Sequence, residues 1–200
     1  FDAMCLNSSI IDLRIGTTSV ITRNTIGPLG ISSLAELISK NKLLASIDLS
    51  LTEMASENIE PLSIALAQNQ TLESLNLSNN NIRSQGAIKL INSCKTNSLS
   101  ELILSSNHLT DEIAPYFADF IQSNSKLTIL DLSGNNLTHR FTSSISASLA
   151  NKTCYLQELN LSRNPLGSRG ISALSHGIGS NTSLRRLDIS ACKIQHSGFA

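Results

Sequence analysis

The sequence predicts an α/β solenoid, a horseshoe with a parallel β-sheet on its concave face and α-helices on its convex face. The first observation is a phrase of the form LxxLxLxxNxL, such as LESLNLSNNNI at residues 72–82, which occurs seven times. The second is its spacing of 27–29 residues, after a first interval of 34. The third is a helix-like apolar pattern after each phrase. Self-similarity at a fixed period of this size indicates stacked structural repeats. The copies begin at Ile10, Leu44, Leu72, Leu99, Leu127, Leu156 and Leu184.

The centre of each phrase is predicted to be a short strand. Alternate side chains of a strand face the same way, so Leu75 and Leu77 point into the core and Asn76 points outward. In a stack of repeats these strands lie side by side and form one parallel sheet. The seven predicted strands lie near residues 12–16, 46–50, 74–78, 101–105, 129–133, 158–162 and 186–190.

An asparagine follows each central strand where the chain turns away from the sheet. Its side chain can bond backbone groups that sheet pairing does not reach. Thr18, Thr52 and Cys192 replace it in the remaining copies, so we expect a weaker ladder at both ends. The predicted turn ladder consists of Asn80, Asn107, Asn135, Asn164 and Cys192.

The second half of each repeat is predicted to be helical. Apolar residues recur there at helical spacing, as in Leu34, Leu37 and Ile38. We expect the helices to begin near Asn58, Gly86, Gly170 and Gly198. We also expect an asparagine in the left-handed conformation after each helix, because this conformation is common at helix ends. The asparagines at that place are Asn7, Asn41, Asn69, Asn97, Asn124, Asn151 and Asn181.

The pattern LxxLxLxxN/CxL is the leucine-rich repeat signature. Repeats of 28–29 residues with full helices resemble the ribonuclease-inhibitor-like class of this family, and the resemblance covers residues from about 10 to 200. It implies a concave surface that binds proteins. Neither end shows a polar capping repeat. We therefore expect one domain, residues 1–200, that is a slice of a longer solenoid.

Composition argues against several functions. The 15 basic and 15 acidic residues balance and aromatic residues make up 4%, so we expect no nucleic-acid binding. Without an apolar run of membrane-spanning length we expect no membrane partner. Four cysteines far apart favour free thiols in a reducing compartment, the cytoplasm. The histidines follow no metal spacing, and we expect neither a metal nor a cofactor.

The outward strand positions form the predicted binding surface. Ile103 and Ile129 lie on adjacent strands among polar residues, and exposed apolar pairs of this kind often anchor interfaces. The surrounding positions are mainly acidic, which favours a partner with a basic or mixed surface. A merely solvated sheet face is the alternative. The predicted protein-binding residues are Asp48, Asn76, Glu101, Ile103, Ile129, Asp131, Glu158, Asn160, Arg186 and Asp188.

Two other features have alternative interpretations. Serine occupies the next outward position in six strands, but these serines share similar surroundings and lack a distinct general base, so we predict no catalytic residue. Residues 22–28 lengthen the first interval. They predict a projecting loop with Arg23 and Ile26 available for contacts, or a tolerated insertion.

Together these features predict a monomeric, non-catalytic module that binds a globular protein. The resemblance to ribonuclease inhibitor implies inhibition of an enzyme by covering its active site. The Asn- and Ser-rich repeats are also similar to effectors of intracellular bacteria such as Legionella, which are secreted into the host cytosol. There they bind host proteins or other effectors. Two alternatives remain open: the targeting arm of a longer enzyme, such as a ubiquitin ligase, and a GTPase-activating repeat protein.

Overall fold

A strand followed by a helix is the repeating unit of the computed structural model, which describes residues 2–95 and 98–195. Short 3₁₀ turns occur at Ser56–Asn58 and at Asp111–Ile113. The strands are β1 (Asp12–Arg14), β2 (Ser46–Asp48), β3 (Ser74–Asn76), β4 (Glu101–Ile103), β5 (Ile129–Asp131), β6 (Glu158–Asn160) and β7 (Arg186–Asp188). The helices are α1 (Asp2–Cys5), α2 (Pro28–Lys40), α3 (Glu60–Gln68), α4 (Arg83–Ser93), α5 (Ala114–Ser123), α6 (His139–Ala150) and α7 (Gly167–Ser180). Asn97 and Gly198 lie outside the described residues.

The strands form one parallel sheet in the order β1 to β7. Each strand pairs with the next at the same register, so that Ser74 lies opposite Glu101 and Asn76 opposite Ile103. Residues at equivalent strand positions therefore form continuous rows across the sheet. This arrangement confirms the predicted α/β solenoid.

The core lies between the sheet and the helices. Leu75 and Leu77 are fully buried, as the alternation within the phrase predicts. The helices contribute apolar residues from their inner faces, and Phe117 packs edge-on against Phe120 and Phe141 with ring centroids 6.2 Å apart. Burial of this apolar surface is the main stabilising contribution to a fold of stacked repeats.

Each regular strand has three residues, not the five predicted. Backbone bonding to the next repeat continues past the strand, since Leu49 N–H donates to Asn76 O and Leu51 N–H to Ser78 O. The N–H of Ser50 between them instead donates to its own neighbour, the Asp48 side chain.

The turn asparagines connect consecutive repeats through their side chains. Asn135 Nδ2 donates to the carbonyls of Leu104, Leu132 and Ser133, and its Oδ1 accepts from the N–H groups of Asn107 and Leu109. All four turn asparagines are buried and bond in a similar way to their own and the preceding repeat. They are Asn80, Asn107, Asn135 and Asn164.

The ladder is weaker at its ends, as expected. Thr52 Oγ1 donates to Leu49 O at 2.8 Å, and Cys192 Sγ donates to Leu161 O at 3.2 Å. Burial raises the pKa of the Cys192 thiol, which keeps it protonated and able to donate. Thr18 at the equivalent place in the first repeat is exposed.

A second set of asparagines stands at the helix ends. Asn69 Oδ1 accepts from Thr71 and Leu72 N–H, while its Nδ2 donates to Ile38 O in the preceding helix. These asparagines do cap the helices, but the predicted left-handed conformation was wrong. Their backbones are extended, with φ between −69° and −86°, because the side chain replaces the backbone turn. The residues are Asn41, Asn69, Asn124, Asn151 and Asn181.

The left-handed conformation occurs instead at the strand ends. In six repeats the residue before the turn position has φ between +54° and +64°. Gly134 is the one glycine among them. The six residues are Leu51, Asn79, Ser106, Gly134, Arg163 and Ala191.

The helix starts predicted at Gly86 and Gly170 were wrong, whereas α3 begins two residues after Asn58. Gly86 and Gly170 lie inside α4 and α7, and Asn58 ends a 3₁₀ turn before α3. The glycines are needed for close packing rather than for a helix start. A Cβ at Gly86 would lie 3.2 Å from the Ser56 Cα of the preceding repeat.

The turn ladder makes a direct stability prediction. Asn135→Ala removes five hydrogen bonds and leaves buried backbone groups without partners, each costing about 1–3 kcal/mol. We expect the free energy of unfolding in urea to fall by at least about 3 kcal/mol. Asn136→Ala is the matched control, because the neighbouring side chain is exposed. Equal effects of the two substitutions would contradict the proposed role of the ladder.

Two glycines of α7 provide an internally controlled test of helix packing. A Cβ at Gly177 would lie 2.4 Å from the carbonyl oxygen of Ser146 in α6, whereas a Cβ at Gly179 meets nothing within 4 Å. Gly177→Ala should lower the unfolding free energy by about 1–3 kcal/mol. Gly179→Ala should raise it by up to about 1 kcal/mol, because alanine favours helix. Thermal unfolding of both variants measures these two changes in stability. Changes of the same sign would contradict the prediction.

Candidate functional site

The outward side chains of the strands form a surface that we call the sheet face. It contains two rows, because every strand pairs at the same register. The first row consists of Asp12, Ser46, Ser74, Glu101, Ile129, Glu158 and Arg186. The third-position row consists of Arg14, Asp48, Asn76, Ile103, Asp131, Asn160 and Asp188.

A depression of about 370 Å³ lies on the sheet face over β4 to β7. Eight of the ten predicted binding residues line it, together with Leu130 and Leu159. Asp48 and Asn76 lie in the same row on β2 and β3 and do not line it. The eight are Glu101, Ile103, Ile129, Asp131, Glu158, Asn160, Arg186 and Asp188.

Ile103 and Ile129 occupy diagonal positions in the depression. Ile129 pairs with Glu101 on one side and with Glu158 on the other, while Ile103 pairs with Asp131. Both isoleucines are half-buried. The sheet face therefore presents two apolar side chains among polar, mainly acidic residues.

The charges of the sheet face are mostly negative. Its two arginines both pair with carboxylates of the same face: Arg14 with Asp12 at 3.0 Å, and Arg186 with Glu158 at 3.2 Å. The carboxylates of these rows outside the two pairs are Asp48, Glu101, Asp131 and Asp188. A basic group approaching this surface therefore meets an excess of negative charge.

The third-position row also has a structural function that the sequence analysis missed. Asp131 Oδ1 accepts the N–H of Ser133 at 2.8 Å, and Asn160 Oδ1 accepts that of Ser162 at 3.0 Å. The same bond forms at five strands. In the sequence this bond corresponds to the triplet D/N-x-S. The sequence analysis treated the first and third residues of the triplet as two separate rows. The acceptors are Asp48, Asn76, Asp131, Asn160 and Asp188.

Ile103 is an exception to this pattern. It stands where the neighbouring strands carry Asn76 and Asp131, and it has no side-chain oxygen to accept the N–H of Ser105. The sequence thus places an apolar side chain on the sheet face where a turn-stabilising residue fits. Departures from a local structural rule tend to occur at functional sites.

The insertion in the first repeat differs from its prediction. Ile26 is buried against the core, and its N–H donates to Thr52 O at 3.1 Å. Arg23 pairs with Glu53. The prediction that Ile26 is available for contacts was wrong, because this residue fills the apolar space beside β2. Within the insertion Ile26 is buried, whereas residues 22–25, 27 and 28 are exposed.

The described part of the chain contains no candidate metal centre. No cluster of three or more His, Cys, Asp or Glu side chains is placed there to hold a metal ion. Among those same residues, no helix has the length and apolar character needed to cross a membrane. The four cysteines are free thiols, and three of them, Cys94, Cys154 and Cys192, are buried.

Comparison with known proteins identifies the repeats. A family model described as Leucine Rich repeat matches residues 68–90, 96–118, 123–139, 152–175 and 180–198, about half of the chain. NACHT, LRR and PYD domains-containing protein 5 of Mus musculus is 28% identical over 91% of this chain and 19% of its own length. Ribonuclease inhibitor of Mus musculus is 27% identical over 85% of this chain and 38% of its own. Protein CARMIL of Dictyostelium discoideum is 30% identical over 89% of this chain and 18% of its own length. The chain thus spans at most 38% of these relatives.

The D/N-x-S bond predicts a pH effect at Asp188. The backbone N–H of Ser190, 2.9 Å from Oδ1, and the Ser190 hydroxyl lower the pKa of this carboxyl below its ordinary value of 3.8. A lowered folded-state pKa means that ionised Asp188 stabilises the fold above pH 3.8, and that this contribution is lost as pH falls through the folded pKa. Carboxyl ¹³C NMR titration should give a lower pKa in the folded protein than in urea. An equal or higher folded value would contradict the assignment.

Proposed function

Because the chain belongs to the leucine-rich repeat family, we propose that it is a protein-binding module whose sheet face holds a globular partner. Leucine-rich repeat domains are in general protein-interaction modules, and ribonuclease inhibitor is among the relatives of this chain. The proposal is that one copy of the chain binds one partner and performs no chemistry itself.

The observation that carries this proposal is the apolar pair within the depression. Ile103 and Ile129 are half-buried among carboxylates, and Ile103 occupies a position where five other strands use a turn-stabilising Asp or Asn. Interfaces concentrate their binding energy in a few central apolar contacts surrounded by polar residues. The depression has this arrangement.

The scaffold favours tight binding. Short strands bonded at one register, and turn asparagines bonded across repeats, hold the sheet-face side chains in fixed positions before a partner arrives. A preorganised surface loses little conformational entropy on binding, so more of the contact energy contributes to affinity. Negative charge on the same surface would accelerate encounter with a basic partner.

Three finer proposals concern what the binding achieves. A partner that is an enzyme would be inhibited if the solenoid covered its active site, by analogy with ribonuclease inhibitor. The free, mostly buried thiols support action in a reducing compartment such as the cytoplasm. The Asn- and Ser-rich composition supports a bacterial effector that acts in a host cytosol.

The test compares partner capture by the native chain and by an Ile103→Arg/Ile129→Arg variant. Proteins retained from lysates by the native chain are identified, purified and titrated by calorimetry. We expect the double variant to bind the partner at least about 30-fold more weakly, because hot-spot contacts contribute about 2 kcal/mol or more. If the partner is an enzyme, adding the native chain to an assay of the partner's activity then tests inhibition.

A matched control is available on the helices. Ile64 in α3 and Tyr116 in α5 are exposed by 56% and 40%, so Ile64→Arg/Tyr116→Arg introduces the same charge away from the sheet face. This control should bind like the native chain. Equal affinity of all three proteins, with unfolding free energies unchanged, would exclude the depression as the binding site.

A further inference from the structure

The geometry of the depression points to the chemistry of its occupant: we propose that it receives an arginine side chain of the partner. This inference rests on the proposed function, because it assumes that the sheet face binds a protein. It goes further by assigning one residue type to one place. The aliphatic part of the arginine would lie on Ile103 and Ile129, and its guanidinium would bond Asp131 and the neighbouring glutamates.

The floor of the depression suits an aliphatic chain. Ile103 and Ile129 stand diagonally on adjacent strands, and paired strands lie about 4.8 Å apart. Both side chains are half-buried and line the same depression. Long basic side chains commonly pack their methylene groups on apolar surface while the charged end stays in polar surroundings.

The walls are two glutamates on either side of Ile129. Glu101 on β4 accepts the Ser74 hydroxyl at 2.6 Å, and Glu158 on β6 pairs with Arg186 at 3.2 Å. Their hydrogen-bond partners lie on β3 and β7, the strands farther from Ile129. These bonds hold the two carboxylates apart and leave the isoleucine uncovered between them.

Asp131 supplies the third wall in a fixed orientation. Its Oδ1 accepts the Ser133 N–H at 2.8 Å, and its Oδ2 accepts Asn160 Nδ2 at 3.1 Å. A carboxylate has about four acceptor sites, so two bonds leave room for a bidentate donor. Asp188 adds a fourth carboxylate to the lining, against the single guanidinium of Arg186. The depression therefore has a net charge of −3 before any partner binds.

These features select arginine over other side chains. An apolar residue would fit the floor but would remove water from carboxylates without replacing their hydrogen bonds. Guanidinium is planar, weakly hydrated and matches carboxylates with two parallel bonds, whereas ammonium is compact and strongly hydrated. The volume of about 370 Å³ is near the lower end for ligand pockets, roughly 300–1,000 Å³, which suits one side chain.

The experiment uses short peptides and the whole chain. Acetyl-Gly-Arg-Gly-amide, and the same peptide with citrulline, lysine or norleucine, are titrated into protein labelled at the isoleucine δ1 methyl groups. We expect the arginine peptide to shift the Ile103 and Ile129 signals saturably and to leave Ile64 unchanged. Citrulline has the same shape without the charge and should bind about tenfold more weakly. Added salt should weaken arginine binding.

Two variants each remove one carboxylate charge from the third-position row, one inside the depression and one outside it. Asp131→Asn also replaces Oδ2, the oxygen that accepts Asn160 Nδ2. Asp131→Asn and Asp48→Asn each keep the oxygen that accepts the serine N–H, but only Asp131 lines the depression. Asp131→Asn should weaken arginine binding about tenfold and Asp48→Asn should leave it unchanged. Equal affinity for citrulline or norleucine, or equal effects of the two variants, would overturn the inference. Equal affinity for lysine would overturn the assignment to arginine.

Failure of this inference is distinguishable from failure of the proposed function. If Ile103→Arg/Ile129→Arg abolishes partner binding while the arginine peptide leaves the two methyl signals unchanged, the sheet face binds a partner but not through arginine. If the arginine peptide shifts the signals as expected, the inference is supported independently of any captured protein.

Discussion

Side-chain amides connect the central repeats of this protein to one another. A stack of short strands and helices leaves backbone groups unpaired wherever the chain turns, and buried unpaired groups are costly. Asn135 satisfies five such groups at the strand end, and Asn69 satisfies groups at a helix end. Both residues bond across the repeat boundary. Together with the backbone bonds between neighbouring strands, these bonds hold consecutive repeats against each other.

Repetition made much of the fold readable from the sequence. The period identified the strands, and Asn80 and its equivalents were assigned correctly because their surroundings recur at a fixed offset. The errors arose where the same residue type is compatible with two different local structures. Asparagine caps a helix either through a left-handed backbone or through its side chain, and Asn41 uses the second. Gly86 marks close helix packing rather than a helix start.

The candidate site was predicted only in part for a similar reason. Alternation along a strand placed Ile103 and Ile129 on the same face, and the parallel register brought them together. The bond that the Ser133 N–H donates to Asp131 was missed because the acidic row and the serine row were read separately and not as a triplet. The triplet shows that the third-position row has a structural function as well as a charge. Asp or Asn stabilises the turn in five strands. Arg14 and Ile103 depart from this pattern, and Ile103 is the departure that lines the depression.

The most direct test of the account is the free energy of unfolding of Ile103→Asn, measured together with its affinity for the partner. Asparagine occupies this row position in β3 and β6, where it accepts the serine N–H. If Ile103 serves binding, the variant should unfold with an unchanged free energy, or one raised by up to about 1 kcal/mol, and should bind the partner more weakly. A large loss of stability, or unchanged affinity, would show that Ile103 is a structural residue and contradict the account.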